Sequence, residues 1–435
     1  MNFSPRTAMA VIIANMIGTG VFTSLGFQLA DIQSGFVLIM LWVVGGLTAL
    51  CGALTYAELG AALPRSGGEY NFLSEIYHPS AGFVSGWISA TIGFAAPTAL
   101  AAITFGSYLA ATFPALSPRW LACGLVIALT AVHASSRRRS GGFQRAFTAI
   151  KIILIVGFCV LSWIFVDSPQ TVNFLPATGD GLVLVSGAFA VSLIYVNYAY
   201  TGWNAATYIT GELDRPQQHL SRILLFGTLI VIGLYLLLNF TFLHVAPMDA
   251  MVGKLEIGYV SANFAFGSKG ASIMGVLLAL LLISTVSAMI MAGPRVLQMI
   301  GQDFVAFRGL AKLNDDGVPA IAITVQCVLS LVFILSASFE SIMVFAGFTL
   351  GLNTFFTVLG VFVLRRTHPE LPRPYRTVLY PLPPLVFLGV TGWTLYYILI
   401  ERPVEGFWGL AIVASGAVFY LLTVWVGKLR PPGRQ

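Results

Sequence analysis

Two short stretches of small and polar residues interrupt long apolar runs, and both expose backbone groups that can bind a charged ligand. The first is Met16-Ile17-Gly18-Thr19-Gly20-Val21, and the second is Tyr198-Ala199-Tyr200-Thr201-Gly202-Trp203-Asn204. A helix that breaks in hydrocarbon leaves N–H and C=O groups without partners, so such a break persists only where it is buried in protein or lines a wet cavity. Two such breaks, one near the start and one near the middle, predict the binding site of a transporter built from repeats.

The chemistry of the broken helix ends predicts the kind of ligand. A half-helix that begins after Gly20 presents free N–H groups and the positive end of its dipole, which favour a carboxylate. A half-helix that ends near Tyr198 presents free carbonyl groups, which favour an ammonium. One site with both features matches the backbone of an α-amino acid.

The elements that must position these breaks are membrane-spanning helices. The chain has 435 residues, of which 57% are hydrophobic and 9% are charged, whereas soluble proteins carry about 25% charged residues. Apolar runs of about 18 residues or more recur, and each can cross a bilayer core of roughly 30 Å. We therefore predict an all-α membrane protein with twelve transmembrane helices and no separate soluble domain. The predicted spans are Thr7–Leu29, Phe36–Ala62, Ala81–Phe113, Trp120–His133, Phe147–Phe165, Leu182–Thr210, Ile223–Val245, Ala271–Leu297, Ala320–Leu335, Ser341–Leu364, Leu379–Ile400 and Phe407–Trp425.

The distribution of positive charge predicts the orientation. With the N-terminus inside, 19 of the 23 Lys and Arg residues fall on the inner side. The four on the outer side are Arg119, Lys254, Lys269 and Arg402. By the positive-inside rule, both termini are expected in the cytoplasm. The basic run Arg137–Arg139 is accordingly interpreted as a topology anchor, and no nucleic-acid partner is expected.

The spacing of the breaks predicts an internal repeat. Gly18 and Gly202 lie 184 residues apart, in the first and sixth spans, which fits two five-span repeats followed by two extra spans. We predict one transporter domain over residues 1–435. Its first repeat is expected within residues 1–167, its second within 182–366, and helices 11 and 12 within 375–428.

Lys151 lies about 9 Å into the fifth span, at 1.5 Å of helix rise per residue. Two interpretations stay open. The side chain can snorkel to the interface and anchor the helix, or its ammonium can point inward and fill a site where other transporters of this architecture bind sodium.

The positions of the other polar residues and of the cysteines argue against a charged pocket, a metal site and a catalytic site. No Asp or Glu lies in the middle of a predicted span, so the side-chain pocket is predicted to be neutral. Glu58, near the end of the second span, is interpreted as a structural partner of an inner Arg. The four cysteines lie within spans and show no metal or disulfide spacing. We find no P-loop and no nucleophile–base pair, so we expect no cofactor, no metal and no enzymatic activity.

Five motifs resemble those of the amino acid–polyamine–organocation (APC) superfamily, and within it the L-type and bacterial alanine–serine–cysteine exchanger-like branch. In chain order they are Ile17-Gly18-Thr19-Gly20-Val21-Phe22, Leu63-Pro64-Arg65-Ser66-Gly67-Gly68-Glu69-Tyr70, Tyr198-Ala199-Tyr200-Thr201-Gly202-Trp203-Asn204, Glu212-Leu213-Asp214-Arg215-Pro216, and Arg373-Pro374-Tyr375-Arg376 with Tyr380-Pro381. The resemblance implies a LeuT-like 5+5 inverted repeat with broken helices 1 and 6, two extra C-terminal helices, and alternating access.

The resemblance also implies roles for residues around the breaks. The backbone N–H groups of Thr19 and Gly20 would bind the substrate carboxylate. The ammonium would lie against the carbonyls of Met16, Tyr198, Ala199 and Thr201. Ile17, Gly18, Gly202, Trp203 and Asn204 complete the expected substrate site.

Gating and coupling residues follow from the same resemblance. Tyr198 matches an aromatic residue that closes the site from outside, and Tyr235 matches a seventh-span tyrosine near the site. Lys151 matches a fifth-span lysine that stands where sodium would bind, which implies sodium independence. Ser284 and Ser287 are named as candidate partners of Lys151.

Three departures from the family pattern qualify these expectations. Thr201 replaces a usual glycine, which implies a tighter turn and a smaller pocket. Gly211 replaces the first of a usual acidic pair and leaves Glu212 alone. The outer loop Pro114–Arg119 has no cysteine, so a disulfide to a heavy-chain partner, as in animal relatives, is not expected. We predict a stand-alone, bacterial-type monomer in the cell inner membrane, with the lipid bilayer and an amino acid as its partners.

Several functions remain in competition at this stage. The leading one is a sodium-independent transporter of small or mid-sized neutral L-amino acids, working by exchange. The alternatives are a proton-coupled symporter of amino acids or amines with Lys151 as the titrating group, and an amino acid sensor that does not transport. A membrane enzyme is disfavoured because no paired acid, base or metal set lies inside the membrane.

Overall fold

A computed structural model describes residues 5–135, 141–213 and 215–425, and these residues form a helical protein. The basic run Arg137–Arg139 and Asp214 lie outside the described residues. The α-helices are α1 (Pro5–Met16), α2 (Gly20–Asp31), α3 (Gly35–Ala62), α4 (Glu69–Ile76), α5 (Pro79–Ile88), α6 (Ala95–Thr112), α7 (Pro118–Ser135), α8 (Gly141–Phe165), α9 (Asp180–Leu184), α10 (Gly187–Tyr200), α11 (Pro216–Val245), α12 (Met248–Met251), α13 (Ile257–Asp303), α14 (Ala320–Ser336), α15 (Phe339–Thr367), α16 (Leu382–Glu401) and α17 (Pro403–Trp425). A π-helical turn spans Ser89–Gly93, and 3-10 helices span Ala205–Glu212 and Val305–Ala311.

The prediction of a multi-span helical membrane protein is confirmed. Within the described ranges, ten helices are long and apolar enough to cross a membrane, when α1 with α2 and α5 with α6 are each taken as one. The ninth predicted span is α14, a shorter apolar helix. The sixth is α10 followed by the 3-10 helix Ala205–Glu212.

Both predicted breaks are present. The first span ends as α1 at Met16 and resumes as α2 at Gly20. The sixth span ends as α10 at Tyr200, and the chain then turns through Gly202, whose φ of +99° is a conformation that favours glycine. The small residues therefore lie where the backbone leaves the helix.

Two further irregularities were not predicted. The third span, predicted as one helix over Ala81–Phe113, changes from α5 to the π-helical turn Ser89–Gly93 before α6 begins. The long helix α13 is interrupted at Gly267, where φ is +69°. The eighth predicted span, Ala271–Leu297, is contained in the part of α13 after this interruption.

A buried aromatic cluster supports the breaks from behind. Trp42 of α3 contacts Tyr235 of α11 with ring centroids 5.6 Å apart, and Tyr200 lies 5.0 Å from Tyr235. The Tyr200 hydroxyl donates to the Trp42 carbonyl at 3.2 Å. Since these large rings are among the most buried side chains, they fix α10 and α11 against the scaffold helix α3.

The predicted structural role of Glu58 is supported by its contacts at the end of α3. Arg365 of α15 makes a two-point contact with its carboxylate, at 2.8 and 2.7 Å. The Thr377 N–H donates to the same carboxylate at 2.7 Å, and Arg373 forms an ion pair at 3.7 Å. The buried charge is therefore paired and joins α3, α15 and the connector that follows α15.

Candidate functional site

A cavity of about 230 Å³ lies where the two breaks meet. Most of the residues predicted for the substrate site line it: Met16, Gly18, Thr19, Gly20, Tyr198, Ala199, Thr201, Gly202, Trp203 and Asn204. Ile17 is the exception, and it lines a small separate space together with Lys151. The structure thus brings together residues that are nearly two hundred positions apart in the chain.

The glycines allow the two broken helices to touch. A Cβ on Gly20 would lie 2.5 Å from the Cα of Ala199, which is closer than any real side chain tolerates. A Cβ on Gly202 would lie 2.9 Å from the carbonyl carbon of Asn15. Each break therefore packs its glycine against the backbone of the other helix, and a larger residue at either position would separate them.

The start of α2 offers hydrogen-bond donors to the cavity. The first N–H groups of any helix have no carbonyl partner within it. At α2 the preceding residue, Thr19, makes no capping hydrogen bond with its side chain. Because Thr19 and Gly20 both line the cavity, these N–H groups and the positive helix end can receive an anion.

The carbonyl groups predicted to bind an ammonium are partly engaged by the protein itself. The Tyr235 hydroxyl lies 2.6 Å from the Met16 carbonyl oxygen and 3.0 Å from the Ala199 carbonyl oxygen, and its single proton is shared between these two acceptors. The Tyr198 carbonyl accepts from the N–H and the hydroxyl of Thr201, at 3.0 and 2.6 Å. Tyr235 therefore bridges the two breaks from behind the cavity, and it is not among the residues that line the cavity.

Lys151 points inward. Only 4% of the residue is exposed, and its ammonium donates to the Ile17 carbonyl at 3.0 Å and to the Thr285 hydroxyl at 2.9 Å. These contacts contradict the interpretation of Lys151 as an interface anchor. The positive charge lies directly against the first break.

The predicted serine partners of Lys151 are wrong. The partner on α13 is Thr285, and Ser287 instead contacts His133 at 2.8 Å. A helix turns by about 100° per residue, so neither Ser284 nor Ser287 shares the direction of Thr285. The sequence located the correct turn of α13. It did not show how this helix is rotated about its axis, which decides which side chain faces Lys151.

Glu69 is a functional candidate that the sequence analysis missed, and it corrects the prediction of a neutral pocket. Its side chain lines the cavity and is 1% exposed. It accepts hydrogen bonds from Tyr56 at 3.0 Å, from Tyr208 at 2.5 Å and from the Asn204 amide. The carboxylate therefore connects the 3-10 helix after the second break to α3 and α4.

Glu69 escaped prediction because it lies beyond the second span, in a segment that folds back. Gly67 and Gly68 have positive φ angles of 122° and 54°, and the chain they turn leads into α4 at the cavity wall. The glycine pair was the available signal. The glycine pair did not show that this turn brings the start of α4 back beside the two breaks.

The rest of the wall comes mainly from the third, eighth and tenth spans, and the eighth contributes Thr285, Met289 and Ala292 of α13. Ser89, Gly93 and Phe94 line the cavity at the π-helical turn, and Asn353 and Thr354 line it from α15. A π-helical turn often marks a functional position. No periodic pattern in the sequence distinguished these residues from their neighbours.

Tyr198 lies between the cavity and a dense apolar cluster. It lines the cavity and also belongs to a buried cluster with residues of α6, α10 and α15. Nearby, Phe27 packs against Tyr195 and Phe339, with centroids 5.7 and 5.9 Å apart. Tyr195 also donates to Glu340 at 2.7 Å. The cavity is thus covered on this side by packed aromatic rings.

Comparison with known proteins is consistent with this geometry. Residues 3–427 match the family model described as amino acid permease. The chain is 25% identical over 430 residues to the b(0,+)-type amino acid transporter 1 of Mus musculus, covering 96% of this chain and 87% of that protein. It is 29% identical over 438 residues to the large neutral amino acids transporter small subunit 2 of Homo sapiens, covering 96% of this chain and 79% of that protein.

Proposed function

The chain belongs to the amino acid permease family, and we propose that it carries small or mid-sized neutral L-amino acids across a membrane by sodium-independent exchange. The observation that carries this proposal is the meeting of two helix breaks across one cavity. Gly20 contacts Ala199, and Gly202 contacts Asn15. A donor-rich helix end and a set of carbonyl groups therefore face the same small volume.

In this proposal the substrate is held by its backbone groups. The carboxylate accepts from the N–H groups of Thr19 and Gly20 at the start of α2. The ammonium binds at the Thr201 carbonyl and at the Ala199 carbonyl, which keeps a second lone pair beside the Tyr235 hydroxyl. Among the other predicted residues, Met16, Tyr198, Trp203 and Asn204 shape the wall around the ligand, together with Gly18 and Gly202.

Sodium independence rests on Lys151. Its ammonium already bonds to Ile17 and Thr285, so a positive charge is built into the first break. A sodium ion bound at the same place would be repelled. The ammonium of Lys151 therefore supplies the positive charge at the first break, and no coupling ion is needed there.

The architecture we propose is the LeuT-like one. Residues 1–167 and 182–366 form two inverted five-helix repeats with breaks in helices 1 and 6, and residues 375–428 add two helices. Alternating access then moves the repeats against each other, and the aromatic layer at Tyr198 closes the outer side. The ten long apolar helices found among the described residues and the paired breaks support this view.

The biological setting is proposed from the sequence. From the charge bias we propose that both termini lie in the cytoplasm of a bacterial-type cell and that the protein lies in its inner membrane. We also propose a monomer without a disulfide-linked heavy chain, because the outer loop Pro114–Arg119 has no cysteine and Cys51, Cys123, Cys159 and Cys327 are buried.

A second candidate is a proton-coupled symporter of amino acids or amines. It is favoured by one observation, the presence of two buried ionisable groups beside the breaks. Lys151 contacts the first break, and Glu69 contacts Asn204 at the second. A proton taken up or released at Lys151 would change the charge at the first break.

The test is uptake of labelled alanine, serine, leucine and phenylalanine into proteoliposomes without sodium. We expect uptake only when unlabelled amino acid is present inside. Uptake into empty vesicles that is driven by an inward proton gradient would replace exchange with symport. Absence of uptake for every amino acid in both conditions would contradict the proposal.

A further inference from the structure

A side chamber adjoins the central cavity, behind the second break. It has a volume of about 60 Å³ and lies between α3, α10, α15 and α16. Besides aromatic and aliphatic residues, its lining includes Thr48, Asn197, Thr201, Thr354, Thr391 and Thr394. Thr201, Trp203 and Thr354 line both the chamber and the central cavity, so the two spaces share a wall.

Two polar groups of the chamber are without partners. Thr394 is 1% exposed, and its hydroxyl has no hydrogen-bond partner among the described residues. Buried threonines in membrane helices usually bond a preceding carbonyl, as Thr349 does with Phe345 at 2.8 Å. The Asn197 amide on α10 is also without a partner within the described ranges. Leaving a buried hydroxyl unpaired is costly, so the Thr394 hydroxyl, with the half-buried Asn197 amide on the facing helix, indicates a ligand.

We propose that the side chamber is a specificity subsite that binds the hydroxyl or carboxamide side chain of a small neutral substrate such as serine, threonine or asparagine. This inference rests on the proposed function. It assigns Thr394 and Asn197 as specificity-determining residues on the far side of α10 from the start of α2.

The residues that line the chamber determine which chemical class of substrate side chain it can bind. Among the described residues that line the chamber, none is charged, so an ionised side chain would be buried without a counter-charge. A hydroxyl or an amide can both donate and accept, which matches Thr394 and Asn197. An aliphatic side chain would leave both groups unpaired.

The volume of the chamber limits the size of the side chain that it can bind. One ordered water needs roughly 10–15 Å³ of cavity volume, measured in the same way as the 60 Å³ of the chamber. The chamber therefore holds a group of about four non-hydrogen atoms, the size of the asparagine side chain. Aromatic side chains do not fit it.

The position of Thr201 links the chamber to the substrate. Its carbonyl belongs to the proposed ammonium site, and its hydroxyl donates to the Tyr198 carbonyl at 2.6 Å. The side chain is thereby folded back along the break while it lines both spaces. A substrate whose ammonium is held at the Thr201 carbonyl is therefore next to a residue that also lines the chamber.

The experiment compares serine with alanine, which differ by one hydroxyl. The full-length protein is reconstituted, and kcat/KM for uptake of each amino acid is measured in the wild type, in Thr394→Val and in Asn197→Leu. Both substitutions preserve approximate shape and remove the polar group. The matched control is Thr349→Val, a buried threonine that lines neither space.

We expect the ratio of kcat/KM for serine over alanine to fall by about three- to tenfold in Thr394→Val, with alanine uptake retained. Asn197→Leu should lower the ratio for asparagine over alanine, and Thr349→Val should leave both ratios at the wild-type value. Asn197→Leu lies on a different helix, so it provides a readout if Thr394→Val does not fold.

Unchanged ratios in the folded variants would overturn the inference and leave the chamber as a place for water only. A wild type that transports alanine but excludes serine and asparagine would also overturn it. If the wild type transports no amino acid at all, the proposed function fails first, and that result is distinct from an unchanged ratio.

Discussion

The Lys151 ammonium donates to the Ile17 carbonyl at 3.0 Å, in the break between α1 and α2. This bond joins the fifth span to the first at the point where the backbone is least regular. The Thr285 hydroxyl holds the same ammonium from α13 at 2.9 Å. Three helices therefore meet at one buried positive charge, next to the cavity in which the substrate is proposed to bind.

Removing this charge should stop transport without unfolding the protein. In Lys151→Ala the Ile17 carbonyl loses its donor, and the first break loses the charge that replaces a cation. We expect the uptake rate to fall by at least about tenfold, since a hydrogen bond to a charged group contributes about 1.5–3 kcal/mol. Size-exclusion chromatography in detergent should give the wild-type profile. Wild-type uptake by this variant would reduce Lys151 to a structural residue.

Substitution of Gly20 should separate the two breaks. In Gly20→Ala the new methyl group would lie 2.5 Å from the Cα of Ala199, and backbone cannot rotate away as a side chain can. Overpacking of this kind costs about 1–3 kcal/mol, so thermal stability and substrate affinity should both decrease. Gly233→Ala on α11 is the control, because nothing lies within 4 Å of its added carbon. Equal behaviour of the two variants would show that the helices do not need this close approach.

Glu69 should be intolerant of even its amide analogue. In Glu69→Gln one acceptor oxygen becomes a donor, which faces either the Tyr56 and Asn204 donors at the Oε1 position or the Tyr208 hydroxyl at the Oε2 position. An unsatisfied buried group costs about 1–3 kcal/mol, so we expect a lower melting temperature and slower transport. Glu75→Gln, on the exposed side of the same helix, should match the wild type. A stable and fully active Glu69→Gln would argue against this network.

Sodium should have no effect on transport. Because Lys151 supplies the positive charge at the first break, uptake in sodium chloride should equal uptake in choline chloride at the same ionic strength. Initial rates of labelled alanine uptake measure this directly. Stimulation by sodium would indicate a cation site elsewhere in the protein.

The sequence was sufficient to predict the spans and both breaks for a simple physical reason. Hydrocarbon imposes long apolar runs, so Gly18-Thr19-Gly20 and Thr201-Gly202 stand out as interruptions. Their partnership followed from the spacing of the breaks, and the cavity at their junction agrees with it. The buried pairing of Glu58 could also be predicted, because a carboxylate near a helix end needs a cation.

Other features depend on three-dimensional relations that one sequence does not carry. Whether Ser284, Thr285 or Ser287 faces Lys151 depends on the rotation of α13 about its axis. Glu69 reaches the cavity only because the chain folds back after the second span. The double contact of Tyr235 requires the two breaks to be already in place.

The central claim is that the two breaks together bind both backbone groups of an α-amino acid. The most direct measurement is competition against binding of labelled alanine to the purified protein, using unlabelled alanine, ethylamine and propionate. Ethylamine lacks the carboxylate and propionate lacks the ammonium. We predict that alanine competes and that neither analogue does at a hundredfold higher concentration. Competition by either analogue as strong as that by alanine would contradict the account, since one break alone would then be sufficient for binding.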